Sequence, residues 1–153
     1  MDKTILYGGG FVALVALLLA GAWFSRGLST EGQGASALLS TSGLHWHASL
    51  SIRINGEEAP IPANLGLIGR HSPIHTHDDE PGLIHLEFEG VVRADDTELG
   101  DFFAVWGKRF DASGIFEHEA PPGTLSMRVN GEPNAEFEAY RMRDGDVVEI
   151  TYE

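Results

Sequence analysis

From Leu44 to Asn55 the chain alternates strictly between two kinds of residue. Leu44, Trp46, Ala48, Leu50, Ile52 and Ile54 are apolar, whereas His45, His47, Ser49, Ser51, Arg53 and Asn55 are polar. A period of two is the repeat of a β-strand, whose successive side chains point to opposite faces, and it does not fit the 3.6-residue repeat of a helix. So long a strand with one apolar face has to lie on a core and leave its other face toward solvent or a ligand. Asn55-Gly56 follows at once, a pair that supplies the two positive-φ positions of a tight hairpin turn. The return strand is expected over Glu57 to Ile61, stopped by Pro60 and Pro62.

The same alternation recurs. Ile84, Leu86 and Phe88 share one face, and His85, Glu87 and Glu89 share the other. Leu125, Met127 and Val129 lead into a second Asn-Gly turn at Asn130-Gly131, with Phe137 and Ala139 continuing beyond it. Asp144-Gly145 then turns into a last strand carrying Val148, Ile150 and Tyr152 on one face. One helix interrupts the strands. Leu99, Phe102, Phe103 and Trp106 recur at i, i+3, i+4 and i+7, Thr97 is placed to cap the start, and Gly107 is placed to end it. These elements predict a mainly β domain, an antiparallel sandwich or open barrel with one short packed helix.

The domain does not begin at residue 1. From Ile5 to Phe24 there is no charged residue, and a helix needs roughly 20 apolar residues to cross a bilayer core. Two readings stand side by side: an uncleaved transmembrane anchor over residues 1–24, or a secretory signal cut after Ala22, where Ala20-Gly21-Ala22 offers the small residues of a cleavage site. Either one places the rest of the chain outside the cytoplasm. Residues 25–43 are rich in Gly, Ser, Thr and Ala and are expected to form a flexible linker. The folded domain is expected over residues 44–153.

With 23 acidic and 10 basic residues the chain carries a formal charge of −13, which repels phosphate backbones and excludes nucleic acid as a partner class. The absence of cysteine excludes disulfides, thiolate zinc sites, blue-copper sites and thiol catalysis.

What remains is histidine. All 7 histidines lie beyond the linker, and three pairs of donors stand at i and i+2: His45 with His47, His75 with His77, and His85 with Glu87. On a strand that spacing puts both side chains on one face. Neutral imidazole and carboxylate are ligands for divalent transition metals, with copper and zinc suited to nitrogen-rich sets. The expected metal ligands are therefore His45, His47, His75, His77, His85 and Glu87, with Asp78 orienting one of them. His118, between Glu117 and Glu119, is expected in a solvated loop.

Two resemblances bear on this. Gly69 followed by His75 and His77 is similar to the opening of the first cupin motif, although Glu80 falls one residue early and Pro121-Pro122-Gly123 lacks the histidine that the second motif wants. More of the domain resembles an uncharacterised family of exported bacterial and archaeal proteins. The matching stretches are His45-Trp46-His47, Ile61 to Gly66, His75 to Asp78, Gly82 to Glu87 and Leu99 to Gly107. That resemblance implies a single extracytoplasmic domain behind a signal or anchor and implies no activity. The expected function is that of a membrane-tethered metal-binding protein for copper or zinc capture, delivery or sensing. The alternatives are a metal-dependent enzyme, cupin-like oxygenase or hydrolase, and an accessory subunit with a membrane-protein partner.

Overall fold

The computed structural model describes residues 36–153. The segment read as anchor or signal, and the linker up to residue 35, lie outside the described residues. Within them no helix is long and apolar enough to cross a membrane.

The strands are β1 (Leu38–Ser40), β2 (Leu44–Ile54), β3 (Glu57–Glu58), β4 (Ile74–His75), β5 (Leu83–Phe88), β6 (Val92–Arg93), β7 (Phe110–Asp111), β8 (Gly114–Ile115), β9 (His118–Glu119), β10 (Leu125–Val129), β11 (Glu132–Asn134) and β12 (Asp146–Tyr152). Among the described residues one α-helix, α1, spans Leu99–Trp106. The main sheet runs β11-β10-β12-β2-β5-β4, with β3 paired to β2. Two small sheets stand apart from it, β1-β6 and β7-β8-β9.

The expectation of a mainly β fold with one packed helix holds. The expectation of purely antiparallel pairing does not, because β12 lies parallel to β2, from Asp146 opposite Ala48 to Tyr152 opposite Ile54. A parallel pair cannot be closed by a hairpin and needs a long crossover. Nearly the whole domain lies between β2 and β12, so the chain has the length for it. Nor does the sheet close into a barrel. Its apolar face is covered by α1 and the small β7-β8-β9 sheet: Leu99, Phe102 and Phe103 from the helix and Phe110 and Ile115 from the small sheet share one buried cluster with Leu50, Ile52, Ile84, Leu86, Met127, Val148 and Ile150.

The turns follow their residue chemistry. Asn55 and Gly56 take φ of 51° and 81°, and Asn130 and Gly131 take 53° and 84°, the double positive φ of a primed hairpin turn. Several boundaries differ from expectation. The strand after Asn55-Gly56 is only Glu57–Glu58. Phe137–Ala139 forms a 3-10 turn rather than a strand. Thr97 does not cap α1. Its hydroxyl donates to the Ala94 carbonyl at 3.0 Å, Glu98 occupies the cap position, and Gly107 ends the helix at φ 69° as its lack of a Cβ allows. Upstream of Leu44, Leu38–Ser40 pairs with Val92–Arg93, and Arg93 Nη1 donates to the Ser36 carbonyl at 2.9 Å. The last residues of the expected linker are thus tied to the domain.

Candidate metal centre

Strand register builds the site. Across β2 and β5, His45 stands opposite Glu87 and His47 opposite His85. Across β5 and β4, His85 stands opposite His75. Directly opposed residues point to the same face, so His47, His85 and His75 form a row across three neighbouring strands on the face turned away from the core. His77, two residues beyond His75, extends it. Ring centroids lie 4.7 Å apart for His47 and His85, 5.3 Å for His75 and His85, 4.5 Å for His77 and His85, and 4.8 Å for His45 and His47.

Two groups of three histidines result, each with its ligand atoms within 4.8 Å of one another: His45, His47 and His85, and His75, His77 and His85. In the first, His45 Nε2 is 3.2 Å from His47 Nε2 and 3.2 Å from Glu87 Oε1. With metal–nitrogen bonds of about 2.0–2.1 Å, the edge of a tetrahedral site is about 3.3 Å. A single Nε2–H cannot point at two acceptors at once, whereas one cation can draw in all three atoms.

The second group is pre-oriented. His75 Nδ1 lies 3.2 Å from the Ser72 carbonyl. A carbonyl only accepts, so Nδ1 carries the proton and Nε2 keeps the lone pair a metal needs. Between His75 and His77, Thr76 points to the opposite face and is 1% exposed. Its hydroxyl donates to the Pro62 carbonyl at 2.9 Å and accepts from the Leu65 N–H at 3.1 Å, and the Thr76 N–H donates to the Leu65 carbonyl at 3.1 Å. The Pro62–Gly66 loop is therefore the clamp that fixes the backbone of this pair. Gly66 has φ 75°, and a Cβ there would stand 2.7 Å from the Ile74 carbonyl oxygen, so only glycine lets the loop approach β4.

His85 is the centre of the arrangement. It is 7% exposed, and each of its ring nitrogens has less than 1 Å² of accessible surface and no hydrogen-bond partner. Glu80 Oε2 approaches Nε2 at 3.3 Å but outside hydrogen-bonding geometry. Glu87 Oε1 stands 3.8 Å from Nδ1. Burial, reinforced by the neighbouring His47 and His77, lowers the His85 pKa below its ordinary value, with Glu80 opposing. Burial also lowers that of His75, opposed mainly by Glu87. Both rings are thus biased to the neutral form that binds metal.

All six residues singled out in the sequence meet on this face. Asp78 does not take the expected part: it is exposed, and no hydrogen bond among the described residues joins it to a ring. The carboxylates beside the rings are Glu80, Glu87 and Asp144. Asp144 Oδ1 accepts the His47 backbone N–H at 3.0 Å, and Gly145 N–H donates to the His47 carbonyl at 2.8 Å, so the turn before β12 fixes this point of β2. His118 is half-buried in β9, its ring 5.0 Å from that of Tyr152, rather than free in a loop. Beside the rings an open cleft of ≈ 810 Å³ is lined by His45, His71, His75, Glu87, Ser72 and Phe88, among others.

The chain matches no family model, no curated protein and no solved structure at a significant level.

Proposed function

We infer that this is a metal-binding protein that holds copper(II) or zinc on its histidine face for capture, delivery or sensing. The observation that carries the reading is the pair of histidine triads whose ligand atoms lie within 4.8 Å. The donors are imidazole nitrogen and carboxylate oxygen only. That set favours copper(II) and zinc over copper(I), which prefers thiolate and thioether sulfur. The uncharged run from Ile5 to Phe24 supports tethering to a membrane, or secretion, with the metal face outside the cytoplasm.

Stoichiometric metal in full-length protein purified without a histidine tag tests this, together with melting in the presence of Cu²⁺ and Zn²⁺. Free metal at 100 times Kd stabilises the folded state by about 2.7 kcal/mol, a Tm rise on the order of 10 °C for a domain of this size. No retained metal and an unmoved Tm with both ions would end the reading.

A metal-dependent enzyme is the second reading, and the cleft favours it. His45, His75 and Glu87 face the same open space, so a bound ion has a side on which substrate can enter. Glu87, half-exposed at its tip, is the candidate general base. Saturation of the bound ion by protein ligands alone, seen by X-ray absorption spectroscopy, would count against it.

A further inference from the structure

The two triads share one residue, and that residue lies on the middle strand. His45 and His47 belong to β2 on one flank of β5, while His75 ends β4 and His77 follows it on the other flank. His85, on β5, has a neighbour opposite it on each side, His47 and His75. An imidazole has two nitrogens on opposite edges of its ring. In His85 both are buried and neither is hydrogen-bonded. On the Nδ1 side stands Glu87 Oε1, which is also 3.2 Å from His45 Nε2. On the Nε2 side stands Glu80 Oε2.

A single ion leaves this arrangement unfinished. It takes one lone pair of neutral His85 and leaves the N–H on the other edge buried, with only Glu80 Oε2 at 3.3 Å from Nε2 or Glu87 Oε1 at 3.8 Å from Nδ1 near it, both outside hydrogen-bonding geometry. A second ion resolves it. That ion replaces the proton on the remaining nitrogen, the proton goes to solvent, and His85 becomes an imidazolate bonded through both nitrogens. The carboxylates of Glu87 and Glu80, one on each side, offset the added charge.

We propose that the protein holds two divalent cations, one with His45 and His47 and one with His75 and His77, bridged by the ring of His85. The proposal rests on the metal-binding reading above and adds to it the number of ions and their connection.

Titration of full-length, tag-free protein with Cu²⁺, followed by electron paramagnetic resonance, tests it. Two ions per chain are expected. The first gives a full copper signal, and the second diminishes the total signal, because an imidazolate bridge couples the two unpaired spins antiferromagnetically. Uptake of the second ion releases one more proton than simple coordination by a neutral ring. His45→Ala and His77→Ala alter side chains at the exposed or half-exposed edges of the face, so the fold is retained. Each is expected to reduce binding to one ion with an undiminished signal. His85→Phe keeps an aromatic ring without its nitrogens and is expected to weaken both sites together. One ion per chain in the wild type overturns the proposal and leaves metal binding intact. Two ions with additive signals also overturn it, as two independent sites. No binding at all overturns the metal-binding reading itself.

Discussion

Thr76→Val removes a hydroxyl and leaves a side chain of nearly the same shape, so it isolates the clamp between the Pro62–Gly66 loop and the His75–His77 pair. Thr76 is 1% exposed, and its hydroxyl makes two hydrogen bonds, to the Pro62 carbonyl at 2.9 Å and from the Leu65 N–H at 3.1 Å. Each is worth about 1 kcal/mol net, and a buried group left without its partner costs about 1–3 kcal/mol. The added methyl returns about 0.8 kcal/mol. Pro62 is exposed, so water relieves its carbonyl, and the cost falls mainly on the Leu65 N–H. The net loss is then about 1.5–3 kcal/mol. With a urea m-value of about 2 kcal/mol/M, the midpoint of the metal-free protein drops by about 1 M. Thr76→Ser keeps both hydrogen bonds and should lose less than half as much. Metal affinity provides a second readout: the valine variant should weaken binding at His75 and His77 while leaving the His45 and His47 side near its wild-type affinity. A midpoint within about 0.2 M of wild type, or serine as damaging as valine, would refute the assignment of the hydroxyl as the clamp.

Other perturbations follow from the same contacts. Gly66→Ala strains a φ of 75° and drives a Cβ to 2.7 Å from the Ile74 carbonyl, so chemical denaturation should show a loss of at least about 1 kcal/mol, with no loss for Ala at exposed, unobstructed Gly69 beyond its own backbone strain. Asp146 is 6% exposed and accepts from Asn130 Nδ2 at 2.9 Å, the Tyr140 hydroxyl at 2.6 Å and the Arg143 N–H at 2.8 Å; Asp146→Ala orphans all three and should cost about 3 kcal/mol or more in urea melts. Phe103→Ala empties a 1% exposed position against Phe110 and should cost about 3–5 kcal/mol. The metal-free protein should lose stability in mild acid. His75 and His85 have pKa values lowered from 6.5 by burial, so below about pH 6.5 the unfolded chain binds more protons than the folded one. Stability is therefore fully present above that pH and declines as pH falls from there to the folded values. A flat Tm between pH 7.5 and 5 would contradict it.

The strands and turns were legible because they rest on local chemistry. Alternation at Leu44 to Ile54 fixes which side chains face the core, and Asn55-Gly56 and Asn130-Gly131 carry their turn type in two residues. That His45 and His47, and His85 and Glu87, share a face was legible for the same reason, since i and i+2 on a strand need no knowledge of neighbours, whereas His77 lies past the end of β4. Sheet order was not legible. The parallel β2–β12 pair depends on a contact across nearly the whole domain, and nothing in either strand's alternation specifies the direction of its partner. The burial of His85 was hidden for that reason too: its strand marks it as polar-face, and only β2 on one side and β4 on the other enclose it. In the sequence Thr76 is a single residue between two histidines. Its role lies in the Ile61 to Gly66 stretch, eleven to fourteen residues upstream at its contact points, and what connects the two segments is a hydrogen-bonding pattern rather than a sequence repeat.

The division of labour across the sheet explains why the site tolerates so much buried imidazole. One face of β2, β5 and β4 carries Ala48, Ile84, Leu86 and Ile74 into a core sealed by Phe102 and Phe103. That core, which contains none of the histidines, holds the strands in register. The opposite face is then free to crowd His47, His85 and His75 at centroid separations of 4.7 and 5.3 Å, an arrangement that leaves two nitrogens of His85 unpaired. A surface selected for apo stability alone would place hydrogen-bonding or smaller residues in that row. The excess cost is of the same order as the stabilisation a moderately bound ion returns, about 2.7 kcal/mol at 100 times Kd. Replacing the row His47, His85 and His75 by Thr, Val and Thr should abolish the metal-induced Tm rise, and a variant whose Tm still climbs with Cu²⁺ or Zn²⁺ as in the wild type would show that the ions bind elsewhere.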